Sequence, residues 1–149
     1  MEKLGRADMA VPSVDDRLMI NDLFVRYTTA LDAGDVETIV SCFTEDGALE
    51  SPAVGVYSGR QGIREFAARF ARFRAGGSQL RHFISNLVVD VDGDAARATC
   101  YLLTTITQNG RTELMPPGRY DCRLTRVDGA WLFTHRLVVL DGDAKLDGI

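Results

Sequence analysis

Apolar residues recur at helical spacing from Ile20 through Leu23, Phe24 and Tyr27 to Leu31. The run predicts one long amphipathic helix. Ser13 stands where an N-cap is wanted, Asp15 and Asp16 fall in the first turn, and Gly34 offers a stop. Asp35 is placed to cap a second, shorter helix, VETIVSCF, whose apolar side is Ile39, Val40 and Phe43. Thr44 to Gly47 reads as a turn. A short strand ALES, a break at Pro52 and Gly55, and another short strand around Val56 to Ser58 come next. A third helix, IREFAARFARF, carries the stripe Ile63, Phe66, Ala67, Phe70 and Phe73. Arg64, Arg69, Arg72 and Arg74 are expected to solvate its other side.

The second half changes period. A strand from His82 to Asp92 leads to the tight-turn signal Asp92-Gly93-Asp94. Ala95 to Gln108 leads to Asn109-Gly110, the strongest short hairpin dipeptide. Gly118 to Val127 and Trp131 to Leu140 complete the set around Asp128-Gly129, and Pro116-Pro117 breaks the approach to the third long strand. Helices first and a long antiparallel meander afterwards predict an α+β domain. Residues 13–142 are expected to form it, with a polar leader over 1–12 and a polar tail over 143–149. Tyr101, Leu102, Leu103 and Ile106 load both faces of one strand. One face can pack on the helices, and the other must line a cavity or meet another subunit.

The chain has 149 residues, enough for one domain with a real core. It is 46% hydrophobic and 26% charged with a net charge of −4, and it has no Lys/Arg run, which argues against a nucleic-acid surface. No apolar run approaches the ~20 residues of a membrane span, and the first residues hold no apolar signal core, so a cytoplasmic location is the expectation. Cys42, Cys100 and Cys122 are scattered and odd in number, as free buried thiols would be. Two histidines without ligand spacing, and no glycine-rich phosphate loop, imply neither a metal nor a nucleotide cofactor. No serine has nucleophile-elbow spacing.

Three segments carry a family resemblance: RYTTALDAGDVETIVSCFTEDGALE, GRQGIREFAARF and RLTRVDGAWLFTHRLVVLD. With them the chain resembles SnoaL-like proteins of the nuclear transport factor 2-like superfamily, from about Asp16 to Asp141. The resemblance implies a cone-shaped α+β barrel: three N-terminal helices on a curved, mostly antiparallel sheet that encloses a pocket. It says less about activity, because this fold hosts dehydratases, dehydrohalogenases, cyclases, isomerases and non-catalytic subunits. Against the dehydrochlorinase, scytalone dehydratase and bile-acid dehydratase members, Asp32 falls at the family's helix-end aspartate and His82, in HFISNL, at its strand-start histidine. Tyr27 stands five residues before that aspartate, as in the dehydratases, and Arg126 matches an arginine before the D-G turn. The family's basic residue on the first helix has only Arg26 nearby, with no firm alignment. A homo-oligomer is also implied, a trimer ahead of a dimer.

These residues suit proton abstraction. Neutral imidazole is a base near pH 7, and a carboxylate on one ring nitrogen fixes the tautomer and aims the other. His82 with Asp32 would take a carbon-bound proton from a small hydrophobic cyclic substrate, with Tyr27 or Arg126 steadying the charge that develops. No cofactor is implied, and no nucleic-acid or membrane partner. Each residue has a plainer alternative. His82 could be a structural histidine, Tyr27 core packing and Arg126 an ion-pair residue. Asp32 lies off the apolar stripe, where period alone puts it on the surface. His135 reads as structural or as pocket lining. Two other functions stay open: a non-catalytic module like the small subunit of a ring-hydroxylating dioxygenase, and a polyketide-type cyclase.

Overall fold

The computed structural model describes residues 11–143. Most of the expected leader and tail therefore lies outside the described residues. Helix α1 (Val14–Ala33) begins where Ser13 Oγ accepts a hydrogen bond from the Asp16 N–H at 3.0 Å. It ends at Gly34, which is left-handed (φ 71°). A Cβ at Gly34 would also sit 3.0 Å from Ala71 Cα, so only glycine lets the third helix approach this closely. Helix α2 (Val36–Ser41) is capped by Asp35, whose carboxylate accepts from the Thr38 N–H at 3.1 Å and the Thr38 hydroxyl at 2.7 Å.

The structure differs from the expected turn over Thr44 to Gly47. These residues belong to strand β1 (Phe43–Ser51), and α2 stops before Phe43. The polar TEDG run is a local irregularity in the strand, where its register against the last strand shifts between Phe43 and Ala48. Strand β2 (Gly55–Ser58) leads into α3 (Gly59–Ala75). On α3, two arginines do more than meet solvent. Arg64 forms a two-pronged pair with Glu37 on α2, and Arg69 donates to the Val54 carbonyl at 3.0 Å and to the Tyr57 hydroxyl.

Five strands follow: β3 (Gln79–Asp92), β4 (Ala95–Gln108), β5 (Arg111–Leu114), β6 (Gly118–Val127) and β7 (Ala130–Leu140). Asn109 and Gly110 both have positive φ (51° and 75°), as a two-residue hairpin turn requires, and β5 is the short return strand before Pro116-Pro117. The sheet order is β2-β1-β7-β6-β4-β3, with β5 paired to β4. Every pair is antiparallel except β1 with β7. The sheet is curved and open, and the helices pack on its concave face.

The core fills that concavity. Ile20, Phe24 and Tyr27 from α1 and Phe66 and Phe70 from α3 meet Ala98 and Cys100 of β4, Tyr120 and Cys122 of β6, and Phe133 of β7. Phe24, Tyr27, Phe43 and Phe133 stack edge-on or tilted, with ring centres 5.2–5.9 Å apart. Strand β4 alternates as its two-sided composition predicts. Leu102 is buried, while Tyr101 and Leu103 stand on the outer face beside Phe83 of β3. No helix among the described residues is long and apolar enough to cross a membrane.

Candidate active site

Asp32 sits in the last turn of α1, one residue past the buried Leu31. A carboxylate there faces the negative end of the helix dipole, so it needs local compensation. His82 supplies it twice. The backbone N–H of His82 donates to Asp32 Oδ2 at 3.1 Å, and His82 Nδ1 lies 2.5 Å from Asp32 Oδ1. Gln79 Nε2 adds a bond to the Asp32 carbonyl at 3.0 Å, tying the helix end to the start of β3. Both side chains are nearly covered, 8% exposed for His82 and 11% for Asp32.

This geometry assigns the tautomer. A carboxylate only accepts, so against it Nδ1 is the donor, and in the neutral ring Nε2 keeps its lone pair. Nε2 has no hydrogen-bond partner among the described residues, and His82 lines the central cavity. The cavity holds about 480 Å³ of empty space, counting the part open to solvent. Its walls are mostly apolar, with Leu31, Phe66, Phe70, Leu102 and Val138 among them. Besides His82, its polar groups come from Ser51, Thr104, Tyr27 and Tyr120.

The structure brings Asp32, His82 and Tyr27 together. Tyr27 packs in the aromatic core and also lines the cavity. Arg126 is not with them. It sits at the far end of β6, where Nη1 donates to Asp16 Oδ1 at 3.1 Å, Nε to Asp94 Oδ1 at 3.2 Å and Nη2 to the Gly93 carbonyl at 3.2 Å. Its guanidinium also lies 4.7 Å over the Trp131 ring. These bonds commit it to joining α1 to the sheet, and it does not line the cavity. Asp16 completes that joint by accepting from the Trp131 indole N–H at 3.0 Å. His135 lies outside the cavity lining and pairs through Nε2 with Glu50 at 2.7 Å, both side chains more than a third exposed.

Arg136 was not singled out by the sequence. It is completely buried, and its Nε and Nη2 have no hydrogen-bond partner. Its Nη1 reaches only Cys122 Sγ, at 3.3 Å. In place of a carboxylate it has four aromatic rings: Tyr120 at 3.7 Å from the guanidinium carbon, Tyr27 at 4.1 Å, Phe133 at 4.5 Å and Phe24 at 4.9 Å. Register explains how it got inside. The β6–β7 pairing shifts between Arg123 and Leu124, so β7 gains one residue between Phe133 and His135. Strict alternation from Trp131 and Phe133 would bury His135. The shift buries Arg136 instead.

The remaining chemistry is quiet. Burial pushes the Cys122 thiol up to about 12 and raises those of Cys42 and Cys100, so none is a ready nucleophile near neutral pH. All three are free and buried. Among the described residues, no three His, Cys, Asp or Glu side chains gather as a metal site would need.

Solved structures share this architecture. A protein of unknown function from Mycobacterium tuberculosis is 31% identical, with a TM-score of 0.78 over 87% of this chain and 78% of its own. A provisionally assigned aromatic ring hydroxylase from Novosphingobium aromaticivorans is 26% identical, with a TM-score of 0.76 over 89% and 94%. A nuclear transport factor 2-like protein with a cystatin-like fold, from the same organism, is 27% identical, with a TM-score of 0.74 over 88% and 86%. The profile of the SnoaL-like domain matches residues 12–137, and with this sheet, these helices and this cavity the chain belongs to that family.

Proposed function

We propose that the chain is a cofactor-independent lyase or isomerase in which His82, held by Asp32, removes a carbon-bound proton from a small, mostly apolar cyclic molecule. The observation that carries this reading is the pair of hydrogen bonds from His82 to Asp32, one from the backbone N–H and one from the ring, with Nε2 left without a partner among the described residues on a largely apolar cavity wall. Nε2 takes the proton, and the electron pair of the broken C–H bond is left on the substrate. In elimination that pair forms the new C=C bond as a neighbouring group leaves with its own electrons. A halide leaves as the anion, while a hydroxyl takes the proton back from the imidazolium and leaves as water. In isomerisation the proton returns to a different carbon. Asp32 stabilises the imidazolium throughout. Positioned base catalysis of this kind contributes ~10²–10⁴ in rate.

The test is release of water or chloride from small cyclic hydroxy-ketones and chlorinated rings. The native protein is expected to turn over at least one such class, and His82→Ala none. Release at the native rate by His82→Ala would refute the reading. A non-catalytic role as small subunit of a hydroxylating assembly is the second reading, favoured by the likeness to the provisionally assigned ring hydroxylase. It predicts no turnover by the purified chain and co-purification with a larger partner.

A further inference from the structure

A buried cation without a counter-charge is costly, because taking a guanidinium out of water is repaid only by close partners. Arg136 is 0% exposed, pairs with no carboxylate among the described residues, and leaves two of its three nitrogens without an acceptor. Packing alone would be met by a methionine or leucine. The placement of the charge is specific. Of the four rings around it, the two nearest belong to Tyr120 and Tyr27, and only those two line the cavity. Neither phenol hydroxyl donates a hydrogen bond to another described residue. Burial pushes Tyr120 up to about 12 and Tyr27 well above the usual tyrosine range, with the Arg136 charge opposing it in both. Both are thus protonated donors at neutral pH, on the same cavity as the His82 base.

We propose that Arg136 is a positioning residue that acts through the Tyr27 and Tyr120 rings it stacks on, making their part of the cavity a binding place for an oxyanion. The substrate class that fits is an uncharged cyclic ketone whose carbonyl oxygen lies against the two hydroxyls. When His82 Nε2 takes the α-proton, the C–H electron pair moves into a C=C bond and the carbonyl π pair onto oxygen, giving an enolate. The hydroxyls donate to that oxygen and the cation behind them offsets its charge. A charge held in a site of low polarity acts more strongly than it would in water, and no solvent needs to reorganise. The cavity offers a neutral ketone no full charge, so the gain comes as the enolate forms. This deepens the proton-abstraction reading and rests on it.

The probe is 4-nitrophenol, whose ionised form is yellow and whose phenolate mimics an enolate oxygen. It is added to the native protein at a pH where the free compound is mostly protonated. The expected result is binding with the phenolate spectrum. Arg136→Met, which fills similar space without the charge, weakens binding about tenfold or more and returns the bound spectrum to neutral phenol. Arg136→Lys keeps the phenolate, and Tyr120→Phe and Tyr27→Phe each reduce it. Should Arg136→Met fail to fold, Arg136→Gln replaces it with the same expected loss, and an unchanged phenolate band in Arg136→Gln or in both phenylalanine variants overturns the proposal. The proposal is overturned if the native protein binds only neutral phenol or does not bind, or if Arg136→Met keeps the phenolate band. It is also overturned if the band vanishes in His82→Ala alone, because the dyad would then hold the anion. An Arg136-dependent band without α-proton exchange would remove the base and leave the oxyanion site standing.

Discussion

Asp32 holds His82 with two oxygens that do two jobs: one takes the ring N–H and the other the backbone N–H. Asparagine keeps the shape and cannot keep both. If its NH₂ meets Nδ1, the ring is forced into the tautomer with the proton on Nε2, and the base is lost. If its carbonyl meets Nδ1, the NH₂ is set against the backbone N–H, donor against donor. Asp32→Asn is therefore expected to lower turnover ~10²–10⁴-fold with an unchanged circular dichroism spectrum. Turnover within a factor of about two of native would show that the carboxylate does not set the tautomer. At this scale the two dyad residues were legible because each stands in a segment that resembles the family's. Arg126 stood in such a segment too, and the match misled: its three bonds to Asp16, Asp94 and Gly93 spend the guanidinium on the scaffold.

Among the elements, the joint of α1 with β6 and β7 carries a stability that depends on pH. The Trp131 indole N–H above all, then the Ser13 hydroxyl and the Arg126 guanidinium, hold the Asp16 carboxyl below its ordinary 3.8 although burial opposes them. A lowered folded-state value means that the stabilisation is complete above about 3.8 and is lost as pH falls through the lower folded value. Asp16→Asn is expected to remove about 1 kcal/mol of stability in urea at neutral pH and to flatten acid unfolding below that value, while turnover per folded molecule stays native. Equal urea midpoints would remove the joint from the account. The helices and long strands were legible from caps, apolar stripes and turn dipeptides. The irregular positions were not. Thr44 to Gly47 reads as a turn because it is short, polar and glycine-ended, yet pairing with β7 on either side draws it into a strand. The burial of Arg136 was not legible because alternation has no signal for an extra residue, and no proline or glycine marks the shift after Phe133. Periodicity shows which strands exist but not where their register slips, and the slip decided which side chain went inside.

The whole molecule presents two surfaces with different demands. The concave one is filled by helices and cavity. The outer one carries Phe83 at 56%, Tyr101 at 61% and Leu103 at 37% exposure, neighbours across β3 and β4. They are edged by the Arg97–Asp121 pair, which offers both charges to a second copy. We propose this face as the seat of the homo-oligomer that the family resemblance implies. Sedimentation is expected to find an assembled species, reduced to monomer by Tyr101→Glu, and a monomeric native protein would contradict it. Inside, the same sheet sets His82 of β3 and Tyr120 of β6 about one cavity, with Arg136 of β7 against the Tyr120 ring, so in the proposed reaction base and developing charge are served from different strands. The central claim is that this cavity takes a proton from carbon. It is tested most directly by following, by NMR in heavy water, the loss of α-protons from a set of small cyclic ketones such as 1-indanone. The native protein is predicted to exchange at least one of them ~10²-fold or more faster than His82→Ala. Equal rates for the two proteins across the whole set would contradict the claim.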